Sequence, residues 1–353
     1  MFKLMNKINN NMEDTTMTNL KNVFFSLILS LGLTTFATNV KAAECGDVSV
    51  AEMTWTSAAV LAYFDALVLK EGFGCNTEVV PGDTMPTSIS MAEKSQPDIA
   101  SELWTNGLGA FWKDAVTAGK VQIGGLSMSG GGEAFWIPSK MLEANPELAN
   151  IEGVLANPQL FTTPESSPKG AFHGCPAGWN CEITTKNLFQ AFGFEEAGFV
   201  YVDPGSGAAL GASAAGAHDK SQGWLGYYWA PTSLLGTRSF QMVSVDPVVQ
   251  TPENWACATD ETFPGNCEPS YWSKAVIDVA YTTDFANRAP KEVLDYLKNR
   301  TFSDSDIGAI LDIVEAEAYG PQEAAEYMIL ERQDLWKDKV SADVANKIIA
   351  SLQ

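Results

Sequence analysis

The sequence predicts an α/β protein built as two lobes, and three observations carry that expectation. Between Val48 and Ser101, short strand-like runs alternate with helical ones, the pattern of parallel strands with covering helices. A second alternation lies between Phe199 and Trp229. The 353 residues are 46% hydrophobic and only 18% charged. That is enough apolar material for one large domain or two of average size, and too much for a disordered acidic chain.

The chain opens on a leader. Lys21 precedes an apolar run from Val23 to Leu33, with Val40 and Ala42 at alternate positions behind it. The run is too short to span a bilayer, which needs roughly 20 residues. Basic flank, short apolar core and small residues predict a cleavable export signal over 1–42, with residues 1–20 as an upstream extension and the cut near Ala42. The mature chain is then expected to be exported.

Behind the leader, Val48–Trp55 alternates like a half-buried strand, and Thr56-Ser57 is placed to cap a helix over Ala58–Lys70. Thr77–Val80 reads as the next strand, Met85–Ser95 as a helix and Asp98–Ser101 as a short strand. Gly124–Gly132 reads as a glycine-rich loop, followed by an extended Glu133–Ile137 and a helix opened by Pro138-Ser139. Thr162–Lys169 is a Pro/Ser-rich loop. Phe199–Asp203 is a strand feeding a helix that runs to about His218, and Trp224–Trp229 is a strand stopped by Pro231. The stretch 271–353 reads as mostly helical, with starts at Pro290, Ser303 and Pro321.

Six cysteines, Cys45, Cys75, Cys175, Cys181, Cys257 and Cys267, all follow the leader. An even count in an exported chain points to disulfides. The simplest pairing is local, Cys175–Cys181 and Cys257–Cys267, leaving Cys45–Cys75, although the count alone leaves other pairings open. CxxC spacing is absent, which argues against a metal site.

A net charge of −21 excludes nucleic acid and anionic membrane surfaces as partners, since both require a basic face. Catalytic signatures are also missing: no G-x-S-x-G elbow, no H-E-x-x-H and no P-loop. Gly205–Gly211 only loosely resembles a dinucleotide fingerprint, with Leu210 where its third glycine belongs. The two histidines, His173 and His218, read as surface or capping residues. No enzyme is expected, and a secreted hydrolase is the competing class. Asp260, Glu261 and Glu268 are the one acidic cluster at which calcium is considered, but acidic surface loops ordinarily hold none, and no cofactor is expected.

Ten tryptophans point elsewhere. Trp55, Trp104, Trp136, Trp179, Trp224 and Trp229 fall at or near predicted strand ends, where ligands sit in α/β sheets. Rings brought together there form an aromatic box, which holds a quaternary ammonium group by cation–π attraction. Trp179 stands inside the small Cys175–Cys181 loop, a mount that suits a pre-organised binding ring. Trp112, Trp255, Trp272 and Trp336 are assigned to the core.

Met53-Thr-Trp-Thr-Ser-Ala58, Asp98 with Glu102-Leu-Trp104, Gly174-Cys-Pro-Ala-Gly-Trp-Asn-Cys-Glu182, Pro204-Gly-Ser-Gly-Ala-Ala209 and Tyr227-Tyr-Trp-Ala-Pro231 together resemble the OpuAC/ProX-type substrate-binding proteins. These are periplasmic receptors of ABC importers for glycine betaine, choline and related methylated amines. The likeness spans about Val48–Val245. The cysteine-bounded Trp loop and the glycine-rich approach to Glu133 look most like the trimethylamine N-oxide (TMAO) receptors. The resemblance implies a type II-like two-lobe fold with two crossovers and the ligand in the cleft. Lobe one would be about 43–136 plus 236–353, and lobe two about 137–235. It puts the aromatic box on Trp55, Trp104, Trp179 and Trp224, with Trp136 or Trp229 as further candidates. It also implies a monomer that meets an ABC permease complex in the inner membrane.

The polar groups bear on the ligand. The box segments contain almost no Lys or Arg, Arg238 and His173 being the nearest in sequence. Glu133 would complement a methylated cation as an anion, or hydrogen-bond an N-oxide oxygen through a shared proton, and would repel a betaine carboxylate. Such a carboxylate would still find backbone N–H groups at Gly130–Gly132 or at the helix start near Ser206. Glu102 carries the same ambiguity. TMAO is the expected ligand, with glycine betaine, choline or carnitine as alternatives within the family.

Overall fold

The computed structural model describes residues 45–353; the export signal and its cut near Ala42 lie outside the described residues. The strands in chain order are β1 (Asp47–Glu52), β2 (Asn76–Pro81), β3 (Ile99–Trp104), β4 (Val121–Ser129), β5 (Gly132–Pro138), β6 (Gly170–His173), β7 (Phe199–Val202), β8 (Gly226–Ala230), β9 (Phe240–Met242), β10 (Ile277–Thr282) and β11 (Phe302–Ser303). They form a six-stranded sheet in the order β11-β4-β10-β3-β1-β2 and a five-stranded sheet in the order β7-β6-β8-β5-β9. Each sheet with its helices makes one lobe.

In the first lobe, β1 pairs in parallel with both β2 and β3, as strand–helix–strand alternation requires. Every residue of β3 is buried. The helix Thr56–Leu67 lays Val60, Leu61 and Phe64 on this sheet, each at most 2% exposed. The expected cap of that helix is different in detail. Trp55 holds the cap position with an extended backbone, and no side chain caps the helix. The Ser57 hydroxyl is drawn away to a buried carboxylate instead.

Two stretches depart from the sequence expectation. Ile277–Thr282 lies in a region read as mostly helical, yet it is β10, buried throughout and antiparallel to both β3 and β4. A strand buried on both faces has no alternating pattern to mark it. Gly124 and Gly125 belong to β4 rather than to a loop. A Cβ at Gly124 would strike the Tyr281 ring, and one at Gly125 would strike the Lys298 carbonyl. These glycines permit close packing; the turn comes later, at Gly130 and Gly131, with φ of +95° and +82°.

That turn is also the first passage between the sheets. β5 pairs along Gly132–Trp136 with Ala230–Gly226 of β8, and β9 pairs with β5. The passages therefore fall before β5 and after β9, not at 136 and 236. His173, read as a surface residue, lies in β6, is 8% exposed and stacks on Trp224 at 5.4 Å.

Three disulfides join Cys45–Cys75, Cys175–Cys181 and Cys257–Cys267, the local pairing. Among the described residues no helix is long and apolar enough to cross a membrane.

A fully buried ion pair anchors the first lobe. Arg300 donates to Asp65 and to the Ser101 carbonyl, both at 2.6 Å, and to Ser127 at 3.0 Å, while Tyr296 donates to Asp65 at 2.7 Å. Arg300 and Asp65 are both 0% exposed. Removing one partner of a buried pair strands the other charge and costs about 3–5 kcal/mol. Arg300→Met is expected to lose stability of that order, measured as a lower urea midpoint with an unchanged m-value.

Candidate functional site

The loops at one edge of the two sheets meet around a small cavity. It is lined by Trp55, Thr84, Trp104, Glu133, Trp179, Asn180, Cys181, Tyr227 and Trp229 and has a volume of about 20 Å³. Drug-sized sites run to roughly 300–1,000 Å³, whereas this space is about that of a single water, so a solute of several heavy atoms enters only as the rings move apart. A larger groove of about 430 Å³ runs beside it and shares Trp55 and Trp229 as a wall. The smaller space is the better candidate, because four buried tryptophans line it and cation–π attraction is stronger where water is excluded.

Each wall has a local cause. Trp55 caps the helix after β1, and Trp104 ends β3. Both indole N–H groups donate to one oxygen, Oε1 of Glu102, at 2.7 and 3.0 Å, and Ser57 donates to the same atom at 3.1 Å. Glu102 is 1% exposed. Tying the N–H edges behind the wall leaves the apolar ring faces toward the cavity.

Trp179 ends the Cys175–Cys181 loop and caps the helix Asn180–Ala191. Its indole donates to Thr54 Oγ1 at 2.8 Å, and Thr54 donates to Asp83 at 2.7 Å. The same loop makes two more bonds to the first lobe, Met85 N to the Gly178 carbonyl at 3.0 Å and Asn180 Nδ2 to the Trp104 carbonyl at 3.1 Å. The lobes are closed on each other. Trp179 meets Trp55 edge-on at 5.3 Å between centroids and Trp229 edge-on at 5.1 Å.

Glu133 stands on β5 opposite Trp229 on β8 and is 8% exposed. It is part of a strand and not of a mobile loop. Tyr227 donates to its Oε1 at 2.9 Å and Asn106 Nδ2 to its Oε2 at 3.0 Å. Tyr227 and Trp229 are two apart on β8, so both face the same side, and their rings are nearly parallel at 6.2 Å. Burial pushes the Glu133 and Glu102 carboxyls above the ordinary glutamate value, against hydrogen bonds that lower them. Burial likewise holds the Tyr227 hydroxyl well above its usual range, and so neutral.

Of the tryptophans proposed from sequence, the structure brings Trp55, Trp104, Trp179 and Trp229 together. Trp224 is not among them: it donates to Ser213 at 3.0 Å and packs edge-on to Phe240 in the second lobe. Trp136 is three residues from Glu133 on β5, so it faces the opposite side and donates to the Tyr228 carbonyl at 3.1 Å. Trp112, Trp255, Trp272 and Trp336 are buried.

Sequence reasoning missed Tyr227 and Asn106 as carboxylate partners, and Thr54 as a tether. The i, i+2 spacing of Tyr227 and Trp229 was a usable signal for the first; nothing local marks the others. Among the described residues no group of three or more His, Cys, Asp or Glu side chains is placed to hold a metal ion. Asp260 near the Cys257–Cys267 bridge instead accepts from Thr262, which lowers its carboxyl.

Two α/β lobes closed over an aromatic, acid-containing cavity describe a solute-binding receptor. Over residues 46–329 the chain matches the substrate binding domain of ABC-type glycine betaine transport systems (OpuAC), and it belongs to that family. It is similar to the trimethylamine N-oxide-binding protein of Pelagibacter ubique (strain HTCC1062), 26% identical over 298 residues that cover 80% of this chain and 87% of the relative. Its fold is similar to that of an ABC-transporter choline-binding protein in complex with choline, with a TM-score of 0.69, 16% identity and coverage of 88% of this chain and 99% of the other. Lactococcal OpuAC, closed on glycine betaine, aligns with a TM-score of 0.63 at 15% identity, covering 84% of this chain and 100% of that one.

The raised Glu133 carboxyl makes stability depend on pH in a definite direction. The folded chain keeps a proton that the unfolded chain has lost, so the contribution of Glu133 is largest below 4.5 and declines as pH rises through the raised folded value. Glu133→Gln removes that slope. Urea denaturation from pH 4.5 upward is expected to show a flatter stability profile for the variant than for the parent.

Proposed function

We propose that this chain is the periplasmic receptor of an ABC importer and captures trimethylamine N-oxide in the cavity, delivering it to a permease complex in the inner membrane. The observation that carries the reading is the buried Glu133 carboxylate inside a wall of four tryptophans, with no basic residue among the lining side chains. TMAO presents three methyl groups to the indole faces and one oxygen to the polar groups. Glu133 complements the methylated nitrogen as an anion. Glycine betaine would set its own carboxylate against Glu133 with no Lys or Arg to compensate.

Capture breaks no bond. The two lobes, hinged at the passages before β5 and after β9, close around the solute, and the contacts from the Cys175–Cys181 loop hold them shut. Trp55, Trp104, Trp179 and Trp229 are the proposed box, and Glu133 its polar end. Choline is the second reading to test, because its hydroxyl would donate to Glu133; a hydrolase would reveal itself by turnover of any of these solutes.

Parallel calorimetric titrations with TMAO, choline and glycine betaine test the proposal. One-to-one binding with TMAO tightest supports it, and binding of none of the three overturns it. Trp179→Ala removes a buried cation–π face worth about 2 kcal/mol, so TMAO affinity is expected to fall about 30-fold in the same titration. Unchanged affinity would count against the box.

A further inference from the structure

Asn106 sits in the short turn Thr105–Gly107 that follows β3 in the first lobe, whereas Glu133 belongs to the second sheet. Their 3.0 Å bond therefore spans the cleft. The turn is fastened by the chain returning from the second lobe: Thr105 N donates to the Val276 carbonyl at 2.9 Å, and the Thr105 hydroxyl donates to Asp278 at 2.7 Å. The indole of Trp255 donates to the main-chain carbonyl of Asn106 at 2.9 Å.

The side-chain amide is oriented as well as placed. Its Oδ1 accepts from Val276 N at 3.3 Å. A main-chain N–H can only donate, so the amide oxygen must face Val276 and the NH₂ group must face the carboxylate. With Tyr227 on Oε1 and Asn106 on Oε2, both oxygens are held, and the remaining lone pairs are left for the cavity.

We propose that Asn106 is a positioning residue that sets solute selectivity through Glu133: it aims the carboxylate into the cavity and, by donating to it, maintains the negative charge that turns a second carboxylate away. This deepens the reading of the cavity as a methylated-amine site and rests on it. The amide opposes the burial that raises the proton affinity of Glu133. Without that donor Glu133 takes up a proton more readily, and its repulsion of a betaine carboxylate weakens.

Other titratable groups on the surrounding elements are already bonded. Tyr227 donates to Glu133 itself, Glu102 accepts from Trp55, Trp104 and Ser57, Asp278 from Thr105, and Asp83 from Thr54, while Glu182 pairs with Lys186. The carboxyl band of Glu133 is identified by difference against Glu133→Gln.

Two variants test the proposal. Asn106→Leu keeps the bulk and removes the donor, and the exposed Val276 N–H can turn to water. Asn106→Ala removes the donor without adding a charge. For either variant the ratio of TMAO to glycine betaine affinity is expected to drop about tenfold, the worth of one hydrogen bond to a charged group. In a Glu133→Gln background the same substitutions should leave that ratio within about twofold, because no carboxylate remains to orient. An equal drop in both backgrounds, or none in the parent, overturns the proposal. Infrared titration of the unliganded protein reads the contact without any solute. Asn106→Leu should raise the Glu133 midpoint, and an unmoved midpoint overturns the proposal even if the cavity takes a different ligand.

Discussion

One carboxylate oxygen organises the first-lobe half of the cavity. Oε1 of Glu102 accepts from the indoles of Trp55 and Trp104 and from Ser57, so rings from two separate segments are held at a common point. An indole has a single polar edge, and burying that edge unpaired is costly. Pairing both edges with the same buried acceptor satisfies the N–H groups and turns the flat faces inward. The other oxygen of Glu102 has no hydrogen-bond partner, and burial raises the carboxyl. The fully buried Arg300, itself paired with Asp65, acts on Glu102 through space in the opposite direction. The two aromatic walls thus depend on a charged network that reaches into the core.

The second lobe contributes its ring differently. Trp179 is mounted on a loop closed by the Cys175–Cys181 bridge, and the residues around it do the docking. Gly178 accepts from Met85, Trp179 donates to Thr54, and Asn180 donates to the Trp104 carbonyl. Gly178 has a φ of +88°, a conformation that favours glycine. A short, cross-linked loop loses little freedom on docking. Closure therefore brings Trp179 to Trp55 and Trp229 already oriented, which is what a ligand with few atoms to grip requires.

The readable parts of the sequence were those whose signal is local. The β1–helix–β2 unit showed in its periodicity, the local disulfides in their spacing, and Trp179 in its place between two cysteines. Glu133 stood out as an acid in an extended apolar segment. Trp224 and Trp229 both flank a strand, and only the pairing of β8 with β5 decides which of them meets Glu133. β10 was invisible because burial on both faces erases alternation. Gly124 and Gly125 resembled a loop because the atoms that exclude their Cβ, on Tyr281 and Lys298, are far away in sequence. Asn106 is the clearest case: its importance depends on Val276, Trp255 and Glu133, none of which is near it along the chain.

The cavity buries the Glu133 carboxyl, a second buried carboxyl, Glu102, stands behind its tryptophan wall, and no basic side chain lines it. Both acids are destabilising to ionise where they stand, and the burial effect on each outweighs the hydrogen bonds that oppose it. A methylated cation changes that balance, because it brings positive charge into the cavity without needing a hydrogen-bond donor to hold it. On the proposed function, a methylated cation would favour the ionised form of Glu133, so part of the differential interaction needed to drive closure would reside in that acid as well as in the rings. An anionic solute would oppose that ionisation. On the proposed function, selectivity and closure share one origin: a carboxyl buried among tryptophans with no basic partner.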